Sequence, residues 1–95
     1  MPADLAFELE YLLSEEAGLE LRVLEARLEA GEQAPRLCVA VEAEGRRVEA
    51  CTELPACRGL EGPRLHRCAA KTLAQGGRPL RQLAQRLREA LKDTS

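Results

Sequence analysis

The residues of this chain with the most versatile chemistry are its four cysteines and its single histidine. Thiolates and imidazole nitrogens bind zinc, and pairs of thiols form disulfides. Zinc sites commonly draw their cysteines from tight C-x2–4-C pairs, and the spacing of the cysteines here contains no such pair. The weak metal candidates are therefore Cys51, Cys57, His66 and Cys68. We expect no cofactor, with zinc as the less favoured alternative.

A hairpin pattern places two of the cysteines together. A two-residue turn at Glu44-Gly45 sets Cys38 opposite Cys51. The same register pairs apolar residues with each other, Val41 with Val48 and Val39 with Ala50, and it pairs acidic Glu42 with basic Arg47. Side chains of a non-hydrogen-bonded pair approach closely, so a disulfide is permitted. Because cytoplasmic thiols are normally reduced, we prefer two reduced, half-buried strand residues and keep the disulfide as the alternative.

No motif in the sequence indicates catalysis. The only aspartates are Asp4 and Asp93, and the sequence identifies no nucleophile or carboxylate partner for His66. Glycine-rich phosphate loops, the G-x-S-x-G nucleophile motif and the H-E-x-x-H zinc motif are absent. We therefore name no catalytic residue and expect a non-enzymatic protein, with an enzyme as the less favoured alternative.

Length and composition indicate one globular domain. The chain has 95 residues, of which 45% are apolar and 32% are charged, and a chain of this size builds a single modest core. It has no apolar run of the roughly 20 residues that span a membrane, and residues 1–13 lack the basic start of a secretory signal. We expect a cytoplasmic protein without membrane association. The absence of Asn and the excess of Arg over Lys fit either a thermophile or a GC-rich genome.

The spacing of apolar residues predicts the elements in order. Leucines at helical spacing predict a helix within residues 1–17, which Gly18 ends. Residues 19–30 alternate apolar with charged and predict a strand with a bulge at Val23-Leu24. The alternative for this segment is one long helix from residue 3 to residue 30.

The rest of the chain completes a single α+β domain over residues 1–95. Residues 19–52 are predicted to form a three-stranded antiparallel meander, and residues 63–92 a helical hairpin whose helices are opened by Pro63 and Pro79. The helices are expected to pack on one face of the sheet. That face is predicted to be lined by Leu24, Ala26, Leu28, Leu37, Val39, Val41, Val48 and Ala50.

Charge divides the chain into two unequal parts. The net charge is −2, yet residues 1–56 hold thirteen acidic and five basic side chains, whereas residues 57–95 hold three and nine. The preferred interpretation is an acidic sheet balanced by basic helices. The alternative is a basic surface for an anionic partner, formed by Arg64, Arg67, Lys71, Arg81, Arg88 and Lys92.

Nucleic acid is one partner that such a surface could bind, since exposed cations can track phosphates. The order helix, three strands, helix resembles that of double-stranded-RNA-binding domains. Residues 35–41 with Gly45 resemble the central hairpin of those domains. The basic cluster which that family carries at the start of its last helix is not reproduced here. The acidic net charge and the scarcity of aromatic residues also argue against nucleic acid.

Protein is the partner class that the sequence favours. A three-stranded sheet covered by helices on one face leaves its other face and its two edges open to pairing. A small domain often gains stability by dimerising. The predicted function is a small protein-interaction module that associates with itself and acts through its sheet face or its basic C-terminal helices. A dimer and a monomer with a solvated sheet face are the two alternatives for its oligomeric state. Nucleic-acid binding and a thiol- or metal-responsive protein are the alternatives.

Overall fold

The computed structural model describes residues 3–93, with side chains described from residue 8 to residue 92. The elements are α1 (Ala3–Ala17), β1 (Arg22–Glu29), β2 (Arg36–Ala43), β3 (Arg46–Glu53), a 3-10 turn (Pro55–Cys57), α2 (Gly62–Ala74) and α3 (Arg78–Asp93). The predicted α+β order is confirmed, and the alternative of one long helix over residues 3–30 is wrong. Positions 1, 2, 94 and 95 of the predicted domain lie outside the described residues.

Gly18 ends α1, as the sequence predicts. Its backbone is left-handed, with φ of 71°, and the amides of Gly18 and Leu19 both donate to the carbonyl of Ser14. Such a turn satisfies a carbonyl near the helix end that would otherwise lack a partner. The chain can therefore reverse at once into the sheet.

The sheet is antiparallel with strand order β1-β2-β3. The register of β2 with β3 matches the prediction in all four pairs, Val41–Val48, Val39–Ala50, Glu42–Arg47 and Cys38–Cys51. The turn between them has φ of 54° at Glu44 and 75° at Gly45. Two consecutive positive φ angles are what a type I′ turn requires, and this turn matches the twist of the strands that it joins.

The predicted bulge is present in β1, but its extra residue does not face the core as predicted. Val23 lies opposite Val41 and Glu25 opposite Ala40, so Leu24 is the extra residue. The prediction that Leu24 lines the core face is wrong, because its side chain is 50% exposed. Val23 packs on the core instead, since an inserted residue resets the alternation of faces along the strand.

The core lies between the inner face of the sheet and a layer formed by α1 and α3. α3 presents leucines at helical spacing to it, and each of them is buried, namely Leu80, Leu83, Leu87 and Leu91. α2 packs mainly on the 3-10 turn, α1 and α3. The buried residues of α2 are Ala69 and Leu73, and Leu65, Cys68 and Ala70 pack partly buried against the core.

The outer face of the sheet is covered by paired charges. Arg27 of β1 lies 3.9 Å from Glu25, 3.6 Å from Glu29 and 3.5 Å from Glu49. Arg27 stands opposite Cys38 in the register, and the long side chains of the outer strands cover the centre of this face. Cys38 is consequently only 3% exposed although it lies on the solvent side of β2.

No helix within residues 3–93 combines the length and apolar character needed to cross a membrane.

Candidate functional site

All four cysteines are paired in the structure. Cys38 is bonded to Cys51, with 4.0 Å between their Cα atoms, and Cys57 is bonded to Cys68, with 5.8 Å between theirs. No cysteine is free among the described residues. The preferred interpretation of Cys38 and Cys51 as reduced packing residues is therefore wrong for this structure.

The Cys38–Cys51 disulfide joins two strands that the sheet already holds in register. These residues form a non-hydrogen-bonded pair, counted back from the Glu44-Gly45 turn. The ladder of β2 with β3 continues on both sides of them, from Arg36–Glu53 to Ala43–Arg46. This disulfide therefore reinforces a contact that the backbone also makes.

The Cys57–Cys68 disulfide joins elements that no backbone ladder connects. Cys57 ends the 3-10 turn and is fully buried, whereas Cys68 lies on α2 and is half-buried. The hydroxyl oxygen of Thr72 lies 3.8 Å from the Cys57 sulfur and 4.0 Å from the Cys68 sulfur. Because bonded sulfurs carry no proton, the Thr72 hydroxyl is the donor in this arrangement.

The weak metal candidates are not brought together. Cys51 is bonded in the sheet, while Cys57 and Cys68 are bonded to each other, and disulfide sulfurs are not the thiolate ligands that zinc takes. No group of three or more His, Cys, Asp or Glu side chains within the described residues could hold a metal ion. The fourth candidate, His66, has a buried Nδ1 atom without a hydrogen-bond partner.

The six predicted binding residues lie on the two C-terminal helices and are all exposed. On α2, the positions of Arg64, Arg67 and Lys71 place them on one helix face. On α3, the remaining three are Arg81, Arg88 and Lys92, and they share a groove with two carboxylates, those of Glu16 and Glu89. We refer to all six as the helix cations.

The helix cations differ from the arginines of the sheet in their partners. In the part of the chain that the structure describes, no ion pair joins Arg64, Arg67, Lys71, Arg81 or Arg88 to a carboxylate. Four of the five sheet arginines are paired locally, as shown by Arg27–Glu49, Arg36–Glu29 and Arg47–Glu25, and only Arg22 has no ion pair among the described residues. The preferred interpretation is an acidic sheet that neutralises the basic helices. No ion pair of these five residues with a carboxylate supports it within the described part of the chain.

Both edges of the sheet are bonded by side chains from the helices. On β3, the guanidinium of Arg86 donates to the main-chain carbonyl of Cys51. On β1, the amide of Val23 donates to the carboxylate of Glu10 over 2.8 Å. The main-chain groups of a non-hydrogen-bonded pair point away from the partner strand, so Arg86 occupies an acceptor that another strand would use. The two edges are thus less available for pairing than the strand order suggests.

Sequence reasoning did not identify the Cys57–Cys68 pair or the roles of Glu10 and Arg86. The loop after β3 contains the 3-10 turn, which brings Cys57 back beneath α2. The only signal was Pro55, which suits the first position of a helical turn. Exposed Glu and Arg residues are too common in this chain for their spacing to indicate an edge contact.

Comparison with protein-family models, with curated proteins and with solved structures gave no match. The topological resemblance to double-stranded-RNA-binding domains gains no support from these comparisons.

Proposed function

We propose that this chain is a small non-enzymatic protein-interaction module that associates with further copies of itself through the helix cations. The observation that carries the proposal is the contrast in pairing. Five exposed cations on α2 and α3 have no carboxylate partner within the described residues, while four of the five arginines of the sheet do. Exposed cations without partners attract an acidic surface at long range.

The chain itself supplies an acidic surface of the required kind. Residues 1–56 carry a net charge of −8, whereas residues 57–95 carry +6. Carboxylates gather around a depression at the hairpin end of the sheet, where Tyr11 is 65% exposed. They belong to Glu10, Glu20, Glu42 and Glu44, with Arg22 beside them. Charge complementarity between this depression and the helix cations of another copy supports a head-to-tail contact.

The test compares two charge-matched double variants by sedimentation velocity at low and at high salt. Arg64→Gln with Arg67→Gln removes two helix cations, and Arg36→Gln with Arg47→Gln removes two arginines that are paired within the sheet. Each variant changes the formal net charge from −2 to −4. The proposal predicts that the wild type and the sheet variant associate at low salt and that the helix variant does not, because salt screens exposed charges. Wild-type protein that stays monomeric at low salt would overturn it.

Nucleic-acid binding is the second candidate, and the common helix face of Arg64, Arg67 and Lys71 is the observation that favours it. The acidic net charge and the two aromatic residues of the chain weigh against it. An electrophoretic mobility shift with a mixed-sequence RNA duplex separates the candidates. A salt-sensitive complex formed by protein that does not self-associate would favour this candidate over the first.

A further inference from the structure

We infer that the Cys57–Cys68 disulfide controls self-association, because its reduction releases α2 and the three helix cations that α2 carries. The predicted loss of self-association rests on the proposed function. The release of α2 is a separate physical event that can be measured without any partner.

The packing of α2 makes it dependent on the disulfide. The helix has thirteen residues, of which two are buried, Ala69 and Leu73. It packs mainly on the 3-10 turn, to which the disulfide ties it, and to a smaller extent on α1 and α3. Leu65, Cys68 and Ala70 pack on the core only in part. Because α2 fully buries fewer apolar side chains than α3 does, it is expected to open locally more readily than the rest of the fold.

The surroundings of the bond favour attack by an anionic thiolate. Cys68 is half-buried and Cys57 is fully buried, so an incoming thiolate reaches Cys68 first. Arg64 and Lys71 lie four residues before and three residues after Cys68 on the helix, on neighbouring turns. Residues 58–67, which the disulfide encloses, contain three arginines and a single carboxylate, that of Glu61. Cations close to a disulfide raise the local concentration of thiolate.

The chemistry requires a dithiol donor and balances as an exchange. One thiolate of the donor attacks the Cys68 sulfur and forms a mixed disulfide, while Cys57 leaves as a thiolate near the Thr72 hydroxyl. The second thiol of the donor then displaces Cys68, and the donor departs as a disulfide. The two protons of the donor end on Cys57 and Cys68, which are both reduced.

The other disulfide provides an internal comparison. Cys38 and Cys51 lie within a continuous ladder of β2 with β3, so their reduction leaves both strands in place. The charges above them are mutually paired, through Arg27 with Glu25, Glu29 and Glu49. Reduction of this pair is therefore expected to leave α2 and the helix cations where they are.

The experiment measures amide hydrogen exchange in residues 62–74 together with sedimentation at low salt. Two double variants are compared with the oxidised wild type, Cys57→Ala with Cys68→Ala and Cys38→Ala with Cys51→Ala. Wild-type protein treated with dithiothreitol is measured as well, so that a variant that fails to fold does not decide the result. We expect exchange in α2 to become about tenfold faster or more in the first variant and in reduced wild type. We expect no such change in the second variant, and loss of self-association only where α2 exchanges faster.

The outcomes separate this inference from the proposed function. Unchanged exchange in residues 62–74 after reduction would overturn the inference, even if the oxidised protein self-associates. Faster exchange of α2 without any effect on self-association would also overturn it. Oxidised wild type that never self-associates would remove the proposed function, while faster exchange on reduction would still support the release of α2.

Discussion

Arg86 of α3 donates a hydrogen bond to the main-chain carbonyl of Cys51, on the outer edge of β3. The contact joins a helix to a sheet edge that would otherwise present an unpaired acceptor. Val23 and Glu10 make the equivalent contact at the opposite edge. The helical layer therefore both covers one face of the sheet and bonds to its two edges, which leaves those edges less open to another strand.

Replacement of Arg86 by Met tests the edge contact. The change keeps most of the aliphatic stem and removes the donor, so the free energy of unfolding should fall by about 1 kcal/mol. Urea denaturation measures this value. Arg88→Met is the control, because Arg88 is exposed on the same helix. Equal stabilities of the two variants would mean that the Arg86 contact contributes nothing.

Replacement of Glu44 by Asn should stabilise the protein. Glu44 has φ of 54°, and Asn adopts this left-handed conformation at lower cost than Glu in a type I′ turn. We expect the free energy of unfolding to rise by about 0.5–1 kcal/mol, measured by urea denaturation. Glu44→Ala controls for loss of the contact with Arg46, which lies 3.6 Å away. The turn assignment is contradicted if the Asn variant is no more stable than the Ala variant.

The bulge in β1 predicts that truncation of two neighbouring residues lowers the free energy of unfolding by unequal amounts. Leu24 is 50% exposed, so Leu24→Ala should change the free energy of unfolding by less than about 0.5 kcal/mol. Val23 packs on the core, and Val23→Ala should cost about 1–2 kcal/mol. Thermal and urea unfolding of both variants measure the difference. The reverse order would place the bulge at Val23.

The two disulfides should be reduced in a fixed order. Cys57–Cys68 lies among cations that attract thiolates, whereas the charges around Cys38–Cys51 are paired. After a short exposure to dithiothreitol, the released thiols are alkylated and the peptides are analysed by mass spectrometry. We expect Cys57 and Cys68 to carry the alkyl label first. High salt should narrow the difference in rate by screening the cations. Faster reduction of Cys38–Cys51 at low salt would contradict this account.

The β2–β3 hairpin is the part of the fold that the sequence predicts most closely. Its two strands alternate clearly, and only one register sets Val41 against Val48 and Glu42 against Arg47. The hairpin is formed by strands that are neighbours in the sequence, so the alternation of apolar and charged residues is enough to predict its register. In β1 the pattern locates the bulge but does not show which of its two apolar residues faces the core. Only packing on the helices decides that Val23 does so and Leu24 does not.

The Cys57–Cys68 bond shows where prediction from the pattern ends. Its formation depends on the path of the chain from the 3-10 turn to α2, which is set by tertiary packing rather than by periodicity. For the same reason, the sequence could place the helix cations on helices but could not show that Arg27, Arg36 and Arg47 find their partners within the sheet. Charge counts describe segments, whereas ion pairs depend on distances.

Native mass spectrometry of a mixed sample tests self-association through the helix cations most directly. Wild type labelled with a heavy isotope is mixed with the unlabelled Arg64→Gln, Arg67→Gln variant at low salt, with the disulfides intact. In a head-to-tail contact the variant still offers its acidic surface. The account predicts complexes of wild type with wild type and of wild type with variant, and none of variant with variant. Variant–variant complexes at wild-type abundance, or monomers alone, would contradict it.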